Sequence, residues 1–333
     1  MTRSGGRWLA VGIAMAVACV APRALAGSPD IWELAATPRL ARDMAAYRDA
    51  QQLFIDAHRA APDFGGRRQL MLLAIRLLDR TDAAHSPEPR VRILYGRILA
   101  RAAQDLPAEV ERDFLERAAA VLQEAIAEWP EHPEAMDARF ALAVTYAKLG
   151  RPADEIAIYE QILQREPSRS ERALTLMNQA EAYMVMGELD RAVQGYRNAL
   201  TMLPDQALAH WGLAVALDRN GDPAGAVAEA AAALQFDPSA EALHNENVFF
   251  VPDYDRYWYD ALGAMARATR EKEPSLAALW WRDAAALWQS FVDAAKGERW
   301  TEAARARRKL CEAKAKEAEA HSLRRPRRWA AKP

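Results

Sequence analysis

Residues 173–204 read ALTLMNQAEAYMVMGELDRAVQGYRNALTMLP, and this stretch decides the fold. Small and apolar residues recur at helical spacing on both sides of Gly187, and Pro204 closes the second run. A glycine there supplies the left-handed stop that ends a first helix, and a proline cannot continue a second. The same plan recurs on both sides, in units starting at Met136 and Ala207 and closed by Pro167 and Pro238. Leu203-Pro204 and Asp237-Pro238 lie 34 residues apart, while three extra residues around Ser168-Arg169-Ser170 separate the first two units. A period of this length marks stacked supersecondary units, none of which buries its apolar face alone.

The diagnostic positions carry the residue types such stacking needs. The middle unit has Tyr183, Gly187, Ala192, Tyr196, Ala199 and Pro204; the third has Leu213, Ala214, Gly221, Asp222, Ala226, Ala233, Leu234 and Pro238. The first has Leu142, Ala143, Tyr146, Gly150, Tyr159 and Pro167, with Glu155 and Ile162 where small residues are expected. Small residues let paired helices cross closely, and an aromatic one turn on fills the gap to the next pair. In these residues and this spacing the sequence resembles the tetratricopeptide-repeat family. The resemblance implies an all-α, right-handed superhelical solenoid of antiparallel helix pairs over roughly residues 88–295, with capping helices at both ends.

Looser units flank the three. Leu94-Tyr95-Gly96 with Leu99, then Ala118, Leu122, Ala125 and Pro130, give a degenerate pair over 88–133, with about ten extra residues around Asp105-Leu106-Pro107. Residues 27–87 read as N-terminal capping helices through Ala50, Phe54, Ala57, Leu70, Leu73 and Leu77. Residues 239–320 hold an aromatic-rich degenerate pair, started by Tyr259-Asp260-Ala261-Leu262-Gly263 and continued by Ala284, Trp288 and Phe291, and a C-terminal capping helix from Trp300 to Ala320. Residues 321–333 form a basic tail expected to lack fixed structure. The whole reads as one continuous solenoid, with no linker longer than Asn245 to Asp253.

Composition agrees: 51% apolar and 27% charged residues suit helices that bury one face and solvate the other. The chain opens with Arg3 and Arg7, an apolar run from Trp8 to Ala21, and Arg23-Ala24-Leu25-Ala26-Gly27, the pattern of a signal peptide over 1–26 removed after Ala26. The run is too short to span a bilayer comfortably. Ala16-Val17-Ala18-Cys19 offers the alternative of a lipobox, with Cys19 acylated as the new N-terminus. After removal of the signal peptide only Cys311 remains, which excludes an internal disulfide. Residues 27–304 carry a net charge of about −13, and 305–333 about +8. Export argues against a nucleic-acid partner for the basic end.

Signals for chemistry are missing. The six His, at 58, 85, 132, 210, 244 and 321, share no metal-ligand spacing, and there is no phosphate loop or nucleophile elbow. No cofactor, catalytic residue or metal site is expected. Cys311, among Lys, Arg and Glu, is expected on a helix surface. The family resemblance implies ligand contacts on the first helix of each pair: Asp137, Phe140, Val144 and Lys148; Leu174, Met177, Glu181 and Met184; Leu208, Trp211, Val215, Asp218 and Arg219. The row Phe140, Met177, Trp211 would then form an apolar groove, whereas a one-residue slip in register places Trp211 in the core. Eleven aromatics between Phe249 and Trp300 read either as a C-terminal core or as a second surface at Trp258, Trp280 and Trp281. The expected role is a non-enzymatic scaffold of the bacterial envelope, periplasmic or secreted, gripping a peptide or helix of another envelope protein. A lipid-anchored assembly protein is the alternative, with membrane contact only through Cys19. A wall-active glycosidase built around Glu181 is a remote third, because Glu181 has no evident partner.

Overall fold

The computed structural model describes residues 37–60, 64–245, 248, 250 and 252–324, all helix, turn or coil. Residues 1–26, expected as a signal peptide and including Cys19, and the tail beyond Arg324 lie outside the described residues. The chain forms two compact units that divide at Glu166 and Pro167. The division falls where Glu166 takes a positive φ of 50° and the following proline cannot extend a helix.

Among the described residues the first unit holds six helices in three antiparallel pairs: α1 (Pro38–Arg59) with α2 (Phe64–Arg80), α3 (Pro89–Ala103) with α4 (Ala108–Glu128), and α5 (Ala135–Lys148) with α6 (Pro152–Leu163). A short 3-10 turn, Ala83–His85, links the first two pairs. The ten extra residues expected as a loop between α3 and α4 instead extend α4 to 21 residues, started at Pro107. One core gathers Phe54, Met71, Leu78, Leu94 and Leu99; the next gathers Leu115, Leu122, Leu142, Tyr159 and Ile162. The helices of the second pair cross tightly: a Cβ on Gly96 would lie 2.6 Å from the Leu122 side chain.

In the second unit α7 (Arg169–Met186) pairs with α8 (Leu189–Met202), α9 (Ala207–Arg219) with α10 (Pro223–Phe236), and α11 (Arg256–Arg270) with α12 (Pro274–Ala295), while α13 (Thr301–Arg324) packs along α12. Helix α7 begins four residues before the repeat unit counted from Ala173. Ser168 caps it and Glu171 returns the bond to the Ser168 N–H, so the three extra residues join the helix instead of a loop. The surplus of the last pair likewise goes into α12, 22 residues long. The C-terminal helix runs to Arg324, so the first residues of the 321–333 segment continue it.

The three central turns share one chemistry. Gly150, Gly187 and Gly221 have φ of 68°, 80° and 88°. After each, the next amide donates back to the carbonyl of Tyr146, Tyr183 or Leu217, closing the helix in a Schellman turn. Pro152 and Pro223 then open the following helices, where the missing N–H costs nothing.

Candidate functional site

The ligand positions implied by the repeat fall on α5 in the first unit and on α7 and α9 in the second. In the second unit that inner face is closed by the chain itself. Trp211 is only 1% exposed, and its ring lies against α11, where a Cβ on Gly263 would sit 3.0 Å from the indole. Met177, Met184 and Val215 are buried as well. Three polar groups of the same face are consumed internally. Asp218 pairs with Arg307 of α13 at 2.8 Å, and Arg219 donates to Asp255 at 2.9 Å while its guanidinium lies over Trp258 and Trp300. Glu181 accepts from the hydroxyls of Tyr196 at 2.6 Å and Tyr259 at 3.2 Å.

This corrects the expectation of an open groove at Met177, Met184, Trp211, Val215, Asp218 and Arg219: Trp211 belongs to the core. Glu181 does have partners, but they are two hydroxyls. Burial pushes the carboxyls of Glu181, Asp218 and Asp255 above the usual range, opposed by Arg219 at Glu181 and Asp255 and by Arg307 and Arg219 at Asp218.

In the first unit the equivalent residues stay accessible. Phe140, Val144 and Lys148 are half-buried on α5, and Phe140 leans on the edge of the second core. Asp137 lies 3.9 Å from Arg97 of α3. The outer side of this unit carries a second concavity, about 750 Å³, between α4 and α6 with α5 as its floor. Ile126, Leu142 and Ile158 give it an apolar base, and Gln123, Gln161, Gln164, Glu131, Arg165 and Arg139 surround it. Sequence reasoning missed it, because residues of three helices come together there and no one of them stands out in its own segment.

A family profile described as Tetratricopeptide repeat matches residues 106–170 and 177–241. Those spans run from α4 to α6 and from α7 to α10, the helices whose turns and crossings are given above. Both spans are tetratricopeptide repeats. No curated protein matches it. Among solved structures it is similar to the MamA fragment 41-end from Desulfovibrio magneticus RS-1, at 16% identity and a TM-score of 0.45, covering 58% of this chain and 97% of that one. It is also similar to MamA of strain MSR-1 (15%, TM-score 0.43, 60% and 97%) and MamA of strain AMB-1 (15%, TM-score 0.44, 61% and 93%).

Tetratricopeptide repeats are non-enzymatic protein-interaction modules, and over these spans the chain is a protein-interaction scaffold. Among the described residues no cluster of His, Cys, Asp and Glu could hold a metal ion, and no helix is long and apolar enough to cross a membrane. The aromatic end of the tetratricopeptide-repeat chain divides in two. Trp258 is fully buried, edge-on to Trp288 and Phe291 with ring centroids 4.8 and 4.9 Å away, so it is removed from the second surface. Trp280 and Trp281 stay half-exposed, Trp280 beneath the Arg267 guanidinium at 5.4 Å. Cys311, expected at the surface, is buried, and burial pushes its thiol up to about 12.

Proposed function

We propose that the protein is an exported scaffold of the cell envelope that holds a segment of another envelope protein against the inner face of α5. The observation that carries this reading is the contrast at two repeat positions: Phe140 and Val144 keep part of their surface open on α5, while Trp211 and Val215 are sealed on α9. A partner segment would cover Phe140 and Val144, with Asp137 and Lys148 at the two ends of the helix setting its direction. The arginine start, apolar run and Ala24 to Ala26 site support export. Cleavage there leaves a free periplasmic or secreted chain, with peptides or envelope proteins as partners and no role for nucleic acid.

A photo-crosslinking residue at position 140, introduced in the living cell, is expected to capture the partner, and Phe140→Glu is expected to release it. If position 140 captures nothing while position 280 does, the exposed pair Trp280 and Trp281 is the docking surface instead. Mass spectrometry of the mature N-terminus is expected to find Gly27. An acylated Cys19 would replace the free scaffold with a lipid-anchored one.

A further inference from the structure

The outer concavity of the first unit holds an arginine whose charge has no carboxylate committed to it. Arg139 of α5 is 3% exposed and lines the cleft between α4 and α6. Its one hydrogen bond is donated to the Pro130 carbonyl at 3.1 Å, and its Nε has no acceptor among the described residues. The carboxylate nearby, Glu131, is held by Arg165 at 2.7 Å. At the other end Asp154 is held by Arg151 at 2.7 Å. Pairing these charges off leaves Arg139 as the surplus positive charge of the cleft. Burying a guanidinium without a directly bonded counter-ion is costly, and desolvation accordingly lowers its proton affinity, with the nearby Arg165 acting in the same direction and the more distant charge of Glu131 opposing it. A residue kept at that cost faces a ligand more readily than it serves the fold.

The rest of the cleft says which ligand. Gln123 on one wall, its carbonyl oxygen accepting from the Tyr146 hydroxyl at 3.0 Å and its NH2 left to donate, and Gln161 and Gln164 on the other are exposed along a cleft with an apolar base. Primary amides both donate and accept, which matches the backbone of an extended chain. We propose that this outer cleft is a second binding site, taking an extended acidic peptide segment whose Asp or Glu side chain pairs with Arg139 while its backbone runs between Gln123 and Gln161. The site lies on the side of the unit where α4 and α6 face solvent, apart from the Phe140 surface, and does not depend on that surface being used.

The test uses the purified full-length mature chain and a fluorescein-labelled decapeptide of alternating Glu and Ala, with a Gln–Ala decapeptide as the neutral counterpart and N-acetylglutamate as the small-molecule arm. The acidic peptide is expected to bind, the neutral one to bind at least about tenfold more weakly, and Arg139→Met to lose a similar factor, the size expected for one charge-assisted contact. Because Arg139→Met also removes a buried uncompensated charge, its melting temperature is expected to be unchanged or higher. Gln161→Glu, an exposed change that leaves the core untouched, is expected to weaken the acidic peptide by repulsion. The proposal is overturned if the acidic and neutral peptides bind alike, or if neither Arg139→Met nor Gln161→Glu changes binding of the acidic peptide. It is overturned too if N-acetylglutamate competes as well as the peptide, which would make the cleft a small-carboxylate pocket. A melting temperature that falls in Arg139→Met, with peptide binding intact in Gln161→Glu, would assign Arg139 to holding the Pro130 turn.

Discussion

Helices α5 and α9 occupy the same place in their repeats and meet opposite fates. Both are first helices of a pair, both end in a Schellman turn, at Gly150 and Gly221, and both place a large aromatic at the position expected to line a groove, Phe140 and Trp211. On α5 the aromatic stays half-open; on α9 every residue from Trp211 to Arg219 is buried. The repeat therefore sets where a side chain points but not what covers it. On α9 the cover comes from later in the chain: Gly263 receives the indole, Asp255 takes Arg219, and Arg307 takes Asp218.

The contrast is breakable by mutation. Trp211→Ala deletes a buried indole from a filled site and is expected to cost about 3–5 kcal/mol, read as a large fall in the melting transition of the second unit by calorimetry. A mutant that keeps its melting temperature would return Trp211 to an open groove. Arg307→Met comes next. It leaves the Asp218 carboxylate buried without its partner, but Arg307 is partly solvated, so a cost of about 2 kcal/mol is expected in urea denaturation. Phe140→Ala is expected to cost clearly less than Trp211→Ala, about 1–2 kcal/mol, because the Phe140 ring is only partly buried, and a cost as large as that of Trp211→Ala would erase the distinction between the two helices.

The smallest effect is one of pH. Glu181, Asp218 and Asp255 bind protons more tightly folded than unfolded. Their contribution is therefore fully present below the ordinary carboxylate range and is lost as pH rises through their raised values. Glu181→Gln keeps an acceptor for Tyr196 and removes one such carboxyl. The fall in melting temperature between pH 4 and pH 8 is expected to be shallower in this variant than in the parent. An identical pH slope would show that Glu181 titrates as an ordinary solvated group.

The helix pairs and their turns were legible because glycine and proline act locally: Gly150, Gly187 and Gly221 stop helices by their own backbone geometry. Lengths were less legible. The surplus residues before α4, α7 and α12 read as loops, yet caps such as Ser168 with Glu171 drew them into helix. The site was the least legible part. The fate of Trp211 rests on residues about 50 to 100 positions downstream, and that of Arg139 on the spacing of α4 and α6. Neither leaves a mark in its own segment. Trp258 and Trp280 look alike in the sequence, and only the face of the helix each occupies separates a core residue from a surface one.

The burial of Cys311 turns the protein into its own unfolding clock. With the thiol enclosed and pushed up to about 12, an alkylating reagent at neutral pH finds almost no thiolate and no path to it. Modification must wait until α13 lifts from α12, so the rate of mass gain measures how often that helix opens, without any engineered label. Cys311 and Cys19 are the two cysteines of the whole sequence. A thiol that reacts at once in the native protein would therefore be Cys19, unacylated, on a chain that still carries residues 1–26.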